Sequence, residues 1–379
     1  PPPPPPPFQA EDGIRDDLEG LVGSEMCIRD SITPDGALTA VFVRSEVAHG
    51  TIASVDLEEV RSMPGVKLAM AADDLAAMGI TYDMTGALVD NRDGTKGANV
   101  KRPLLARGKV RFVGDPVAVI VAESRALAKN AAEAVMVDIE ELPAKVDIGP
   151  GGATLHDEAP DNLAFDWEKG DPGAVEAALA GAAHVVKTRI VDNRIIVNSM
   201  EPRGCTAEWD GTRLHLAFGG QGVWGTKDEL VECFGLEADN IRVTNPDVGG
   251  GFGMKGMDYP EYFVVAAAAK ALGQPVHWMS ERTEAMLTDN GGRDLVSDST
   301  LGFDADMKLV AYKVDTVCNL GAYNSGYAQP IQSDLFAKVA MGVYDVQNVA
   351  LRCKAYYTTT VQIDAYRGAG RPEAIFALE

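Results

Sequence analysis

The sequence predicts a mixed α/β (α+β) fold in two units, on three observations. Short apolar strands alternate with helical segments from residue 36 onward. The chain has 379 residues, about twice the usual single-domain size. In its second part, a strand, a polar or glycine-rich junction and a helix recur three times in that order.

The elements follow in order. Residues 1–31 open with a run of prolines, lack an apolar period and resemble translated adapter sequence, so they are expected to be non-native and are set aside. Residues 32–146 read as a compact α/β unit. "ALTAVFVRS" is a strand, "DLEEVRSMPG" a short helix behind Asp56, and "KVRFVGDPVAVIVAES" a pair of strands about a Gly-Asp-Pro turn. "RALAKNAAEAV" is a helix and "MVDIEELPAKVD" a further strand. Residues 147–173, rich in Gly, Pro and Asp, read as a surface linker.

Residues 174–379 form the second unit, with Asp171 and Pro172 capping a helix that ends near Gly181. "TRLHLAF" runs into "GGQG" and the helix "TKDELVECFG", with Thr226 and Glu229 as a capping box and Gly235 as its stop. "NIRVTNPDV" runs into "GGGFGMKG" and the helix "DYPEYFVVAAAAKALG", capped by Asp258 and Glu261. "YYTTTVQIDAY" runs into "RGAGR" and a helix of about two turns, "RPEAIFALE", which has no C-cap; the chain is expected to continue past Glu379.

A formal charge of -22 argues against nucleic acid or an anionic membrane as partner. No apolar run reaches the length of a membrane helix. Five scattered cysteines with no CxxC pair exclude a zinc ribbon or an iron–sulfur cluster on this chain and suit a reducing compartment, so the cytoplasm is expected. The five histidines form no HxxxH or HxH set, and no Gly-x-Ser-x-Gly elbow occurs.

What remains is glycine. Five of the eight positions from 249 to 256 are Gly, which brings backbone N–H groups close to any ligand. Gly251–Gly256 matches GxGxxG, but the helix signals lie after the last glycine, whereas a dinucleotide site needs the glycines inside the first turn. Arg367 and Arg371 flank a second glycine loop and suit an anion; Gln221 puts an amide on a third junction. Glycine loops, arginine and glutamine fit a large, polar, anionic cofactor. Two rivals stay open: a nicotinamide-dependent dehydrogenase using the GFGMKG loop, and a non-catalytic binding module whose glycines only make turns.

"MEPRG", "GGQG", "VGGGFGMKG", "ERTEAM", "GGRD" and "AYRGAGRPE", in this order, resemble the large subunit of the molybdenum hydroxylases, the xanthine dehydrogenase and aldehyde oxidase family, in its aerobic carbon monoxide dehydrogenase-like branch. The resemblance implies a hammerhead-like α/β domain followed by the first half of a molybdopterin-binding domain. It implies a molybdopterin, usually the cytosine dinucleotide form, whose dithiolene holds molybdenum without a protein ligand. It assigns Gln221, Gly250, Gly251, Phe252, Gly253, Arg367 and Gly368 to the cofactor, and Arg293 and Ala369 to the substrate pocket. Iron–sulfur and FAD centres are implied on separate small and medium subunits. The catalytic glutamate is expected beyond residue 379, so none is nominated, and the 379-residue chain alone is expected to be colourless and cofactor-poor.

Three departures bear on the substrate. Gly368 stands where carbon monoxide dehydrogenases carry a copper-binding cysteine, so carbon monoxide oxidation is not expected. Gly256 and Ala369 stand where purine-oxidising members carry glutamate and phenylalanine. The resemblance therefore implies oxidation of an aldehyde or N-heteroaromatic carbon with water-derived oxygen.

Overall fold

The computed structural model describes residues 33–379; the expectation for residues 1–31 lies outside the described residues. The first unit supplies strands β1 (Leu38–Arg44), β2 (Val66–Ala71) and β3 (Pro116–Ala122) and helix α1 (Arg125–Glu133). There follow β4 (Leu163–Gly170), α2 (Pro172–Gly181), β5 (His184–Asp192), β6 (Gly204–Trp209), β7 (Leu214–Phe218), α3 (Trp224–Phe234) and β8 (Ile241–Thr244). The remainder is α4 (Pro260–Leu272), β9 (Val276–Met279), α5 (Arg282–Thr288), β10 (Leu295–Phe303), β11 (Leu309–Gly321), β12 (Asn348–Tyr357) and α6 (Arg371–Leu378).

Two large mixed sheets carry the fold. The seven-stranded sheet runs β8-β7-β6-β9-β1-β3-β2, and the five-stranded sheet runs β5-β10-β11-β12-β4. A smaller sheet joins Lys109–Val110, Gly50–Asp56 and Met136–Glu141. The seven-stranded sheet draws on both sequence units. β1 pairs in parallel with β9, Leu38 opposite Val276 and Thr39 opposite His277. One apolar core runs through both, from Phe42, Val119 and Val121 to Leu216, Phe263 and Trp278.

Helix α4 lies on that sheet, apolar on every side, with Pro260 to Ala269 all buried, as a core helix must be. It begins after the last glycine of "GGGFGMKG" and stops at Gly273 in the left-handed conformation, φ 61°. α2 begins behind Asp171, whose carboxylate accepts from Ala174 N, and α3 stops at Gly235, φ 60°.

Three local expectations differ. α3 begins at Trp224, two residues before the predicted cap; Thr226 Oγ1 donates instead to Asp258 Oδ1 (2.6 Å), and Glu229 accepts from Tyr82 Oη (3.1 Å). Glu261 does not cap α4; its carboxylate is wholly buried between Arg44 (2.7 Å) and Arg203 (3.0 Å), a tertiary pairing that outweighs a local cap. Residues 147–173, read as a linker, contain β4, which pairs antiparallel with β12, and they bury Leu155, Ala159, Phe165 and Trp167. The Gly- and Pro-rich stretch ahead of β4 hid its alternation. Among the described residues, no helix is long and apolar enough to cross a membrane.

Candidate functional site

The three glycine-containing junctions meet at one place. After β7, Gln221 turns back over the glycine run: its N–H donates to Lys255 O (3.0 Å), and its Oε1 accepts from Gly253 N (2.7 Å). After β8, Phe252 O accepts from Arg367 N (2.8 Å), tying the glycine run to the loop before α6, and the Arg367 guanidinium lies 5.9 Å from the Phe252 ring centre. Gln221, Phe252 and Arg367 thus form the wall of one shared surface.

The glycines are needed for two separate reasons. A Cβ on Gly251 would lie 2.5 Å from Gln221 Oε1, and one on Gly253 would lie 2.8 Å from Ala365 O. Gly250, Phe252, Gly253, Gly368 and Gly370 all have positive φ, 100°, 53°, 101°, 100° and 83°. Phe252 is a bulky residue held in the left-handed region, a conformation that persists only where its surroundings impose it. Alternating backbone hands of this kind turn successive N–H groups to one side and make a concavity for anions.

Beneath the run lies a buried ion pair. Lys255 Nζ is 2.7 Å from Glu201 Oε2, with both side chains essentially inaccessible, and the same oxygen accepts from Gly249 N (2.8 Å). Glu201 N donates in turn to Gly249 O (3.1 Å). Glu201, in "MEPRG" between β5 and β6, therefore fixes the height of the glycine run.

The donors left over face outward. Among the described residues, the N–H groups of Gly250, Gly251, Phe252 and Gly368 have no acceptor. Among the described residues, Gln221 Nε2 likewise makes no hydrogen bond, and the exposed Arg367 guanidinium has neither hydrogen bond nor ion pair. A cradle of bare N–H groups, one amide nitrogen and one free guanidinium fits a large anionic group with many acceptor oxygens. Among the described residues, no group of three or more His, Cys, Asp or Glu is placed to hold a metal ion.

Arg293, expected at the substrate pocket, lies beneath the loop that carries Arg367. It is buried at φ 65°, its Nη1 donates to Tyr366 O (3.0 Å) and Glu373 Oε1 (3.1 Å), and its Nη2 donates to Arg367 O (3.1 Å). Its ring-facing side stacks 4.8 Å from Tyr366. Arg293 braces the loop that carries Arg367. Ala369 is half-buried in that loop, its N–H given to Tyr366 O (2.8 Å).

Comparison with known proteins shows the family of the chain that carries this cradle. Residues 155–379 match the molybdopterin cofactor-binding domain, and residues 23–143 match the hammerhead domain of aldehyde oxidase and xanthine dehydrogenase. The chain belongs to the molybdenum hydroxylase family, as a large subunit. It is 31% identical to the 6-hydroxypseudooxynicotine dehydrogenase complex subunit gamma of Paenarthrobacter nicotinovorans, over 96% of this chain and 46% of that protein. It is 29% identical to the carbon monoxide dehydrogenase large chain of Hydrogenophaga pseudoflava, over 92% of this chain and 45% of that one. The solved quinoline 2-oxidoreductase of Pseudomonas putida 86 superposes with a TM-score of 0.85 at 31% identity, over 92% of this chain and 44% of that chain. The chain thus spans less than half the length of these molybdenum hydroxylases.

Sequence reasoning missed Glu201 and Lys255 as parts of the site. The signal was present: "MEPRG" precedes the first glycine junction, and Lys255 is the one charge inside the glycine run. It also missed Arg203, which donates to Glu261 (3.0 Å), Asp289 (2.6 Å) and Thr288 (2.9 Å) behind the cradle, because those partners are far apart in sequence.

Proposed function

We propose that this chain is the cofactor-binding part of a molybdenum hydroxylase that oxidises an N-heteroaromatic or aldehyde carbon with oxygen from water. The observation that carries the reading is the pair of hydrogen bonds, Gly253 N to Gln221 Oε1 and Arg367 N to Phe252 O, which gathers three N–H-rich junctions into one cradle. In this reading Gly250, Gly251 and Phe252 present N–H groups to the anionic oxygens of a molybdopterin, in its cytosine dinucleotide form. Gln221 Nε2 would donate to the cofactor, and Arg367 and Gly368 would hold it from the neighbouring loop. The bound cofactor supplies the two-electron oxidising power. The residues on this chain hold and orient it, and the Phe252 ring, 44% exposed, shields one side from water.

The Paenarthrobacter relative is named as a subunit of a complex, which supports iron–sulfur and FAD partner subunits that carry the electrons away. The name quinoline 2-oxidoreductase supports the N-heteroaromatic arm of the reading. Gly368 at the loop beside the cradle offers no thiolate, which argues against carbon monoxide as substrate. A cytoplasmic site is proposed on the scattered free thiols; Cys205, Cys233, Cys318 and Cys353 are all unbridged and buried.

Molybdenum and phosphorus analysis of the complex purified with its partner subunits tests the reading. Stoichiometric molybdenum with organic phosphate is expected. A metal-free complex whose melting temperature rises with NAD would instead favour the nicotinamide-dependent alternative.

A further inference from the structure

A cleft of about 510 Å³ opens next to the cradle, between the 84–102 segment of the first unit and the 324–327 turn and Gln362 of the second. It abuts the cradle at Gly256, where a Cβ would lie 3.8 Å from Gln221 Cβ. Met84, Met257 and Tyr327 give it apolar and aromatic surface, and its size suits a small organic ligand.

Three of its polar side chains are almost wholly buried and incompletely partnered. Arg102 is 4% exposed, and its Nε and Nη2 have no partner. No hydrogen bond or ion pair joins its guanidinium to any described residue, and it lies 5.4 Å from the centre of the Phe112 ring. Asn324 Nδ2 and both amide atoms of Gln362 are likewise unpartnered, on residues 2% and 1% exposed. The carboxylates nearest Arg102 in electrostatic influence, Glu261 and Asp115, are committed elsewhere. Glu261 serves Arg44 (2.7 Å) and Arg203 (3.0 Å), and Asp115 accepts from Arg111 N (3.1 Å) and Tyr323 Oη (3.2 Å). Burying a guanidinium without a counterion is costly, and burial does lower its proton affinity. Glu229 and Asp258 also line the cleft but point to Tyr82 and Thr226.

We propose that this cleft is a recognition site for a small aromatic or heteroaromatic carboxylate, its carboxylate taken by Arg102 with Asn324 and Gln362 as neighbouring donors. The ligand is the substrate of the reading above, on which this inference rests, held with its ring toward the cradle. A guanidinium and two amides match the planar oxygen pair of a carboxylate, whereas a neutral amide isostere offers one acceptor and brings a competing donor.

The test is equilibrium binding of benzoate and of its neutral isostere benzamide to the complex purified with its partner subunits, with molybdenum measured on the same sample. Benzoate is expected to bind at least about tenfold more tightly than benzamide, and Arg102→Gln to abolish the preference. The Arg102→Gln melting temperature is expected to be unchanged or raised, because an unpaired buried cation has been removed. Should that variant not fold, Gln362→Met, close to isosteric, is expected to weaken benzoate severalfold without affecting benzamide. Equal binding of the two probes, or no binding of either, overturns the inference, since each would make Arg102 a structural residue beside a water-filled cleft. The two readings fail separately. A benzoate preference without molybdenum keeps the site and removes the cofactor, and molybdenum without the preference does the reverse.

Discussion

Two neighbouring glycines in the cradle, which look equivalent in sequence, fail in different ways when a methyl is added. At Gly251 the obstacle is Gln221 Oε1 at 2.5 Å, the tip of an exposed and flexible side chain, and no positive φ is required. Gly251→Ala is therefore expected to lower stability by less than about 1 kcal/mol while displacing the Gln221 amide, as most exposed substitutions do. Urea unfolding should barely move, and molybdenum content in the assembled complex should fall. At Gly253 the obstacle is the Ala365 carbonyl at 2.8 Å, and φ is 101°. Gly253→Ala is expected to cost about 1–3 kcal/mol, because backbone must shift and a strained conformation is imposed. Equal stability of the two variants would show that the Gly253–Ala365 contact is not rigid. Under the same loop, Glu201→Ala leaves Lys255 buried without its carboxylate, and the expected loss is about 3–5 kcal/mol. A Glu201→Ala protein as stable as the parent in urea would refute the view that this pair supports the glycine run.

At the level of elements, α3 and the turn before α4 carry a pH response opposite in sign to that of the ion network behind them. Burial, with the Asp258 charge adding to it, pushes Glu229 up to about 8 from an ordinary 4.5, and burial pushes Asp258 up to about 6 from 3.8. Both fold protonated more readily than they unfold, so their contribution is fully present below the ordinary carboxylate range. It is lost as pH rises through about 6 for Asp258 and about 8 for Glu229. Glu261 behaves the other way. Burial alone would raise it, but the Arg203 and Arg44 charges hold it well below the usual range, so its stabilisation is present above that range and lost on acidification. Urea midpoints measured from mildly acidic to mildly alkaline pH should fall across that span and flatten in Glu229→Gln; an unchanged slope in the variant would show that Glu229 is not the group responsible. These same elements mark what the sequence discloses. The stop at Gly235 and the start of α2 behind Asp171 are local signals and are read correctly. Thr226, Glu229 and Asp258 carry capping patterns too, but a tertiary cleft draws their side chains to one another and to Tyr82. Gln221, Phe252 and Arg367 were legible as candidates, Phe252 through the family resemblance, because each lies on a glycine-containing junction between a strand and a helix. Arg102 and Gln362 were not, since nothing local in a lone arginine after a lysine, or in "TTVQID", announces a cleft made by two distant segments.

Across the whole molecule, the boundary legible in the sequence is not a boundary in the packing. β1 sits between β9 and β3, so removing the first unit would strip the seven-stranded sheet of three strands and expose β9 along a full edge. The join is reinforced at several points. Arg44 Nη2 pairs with Glu261 (2.7 Å) and Glu284 (2.5 Å), Thr359 N donates to Lys145 O (2.8 Å), Asn324 N to Val100 O (3.1 Å) and Ala87 N to Gly326 O (2.9 Å). The last two flank the cleft that holds Arg102, so the cleft exists only while the units are joined. Cooperative unfolding of both units together follows, because neither can close its apolar core alone. A protease site inserted between Gly151 and Gly152, in a surface turn where both residues have positive φ, allows the claim to be checked. After cleavage the two pieces should co-elute and melt in one calorimetric transition, and residues 33–146 produced alone should show no cooperative melt. Two separate transitions in the cut protein, or a folded 33–146 piece, would mean that the shared sheet is a docking contact between finished domains, and the cleft a gap between them.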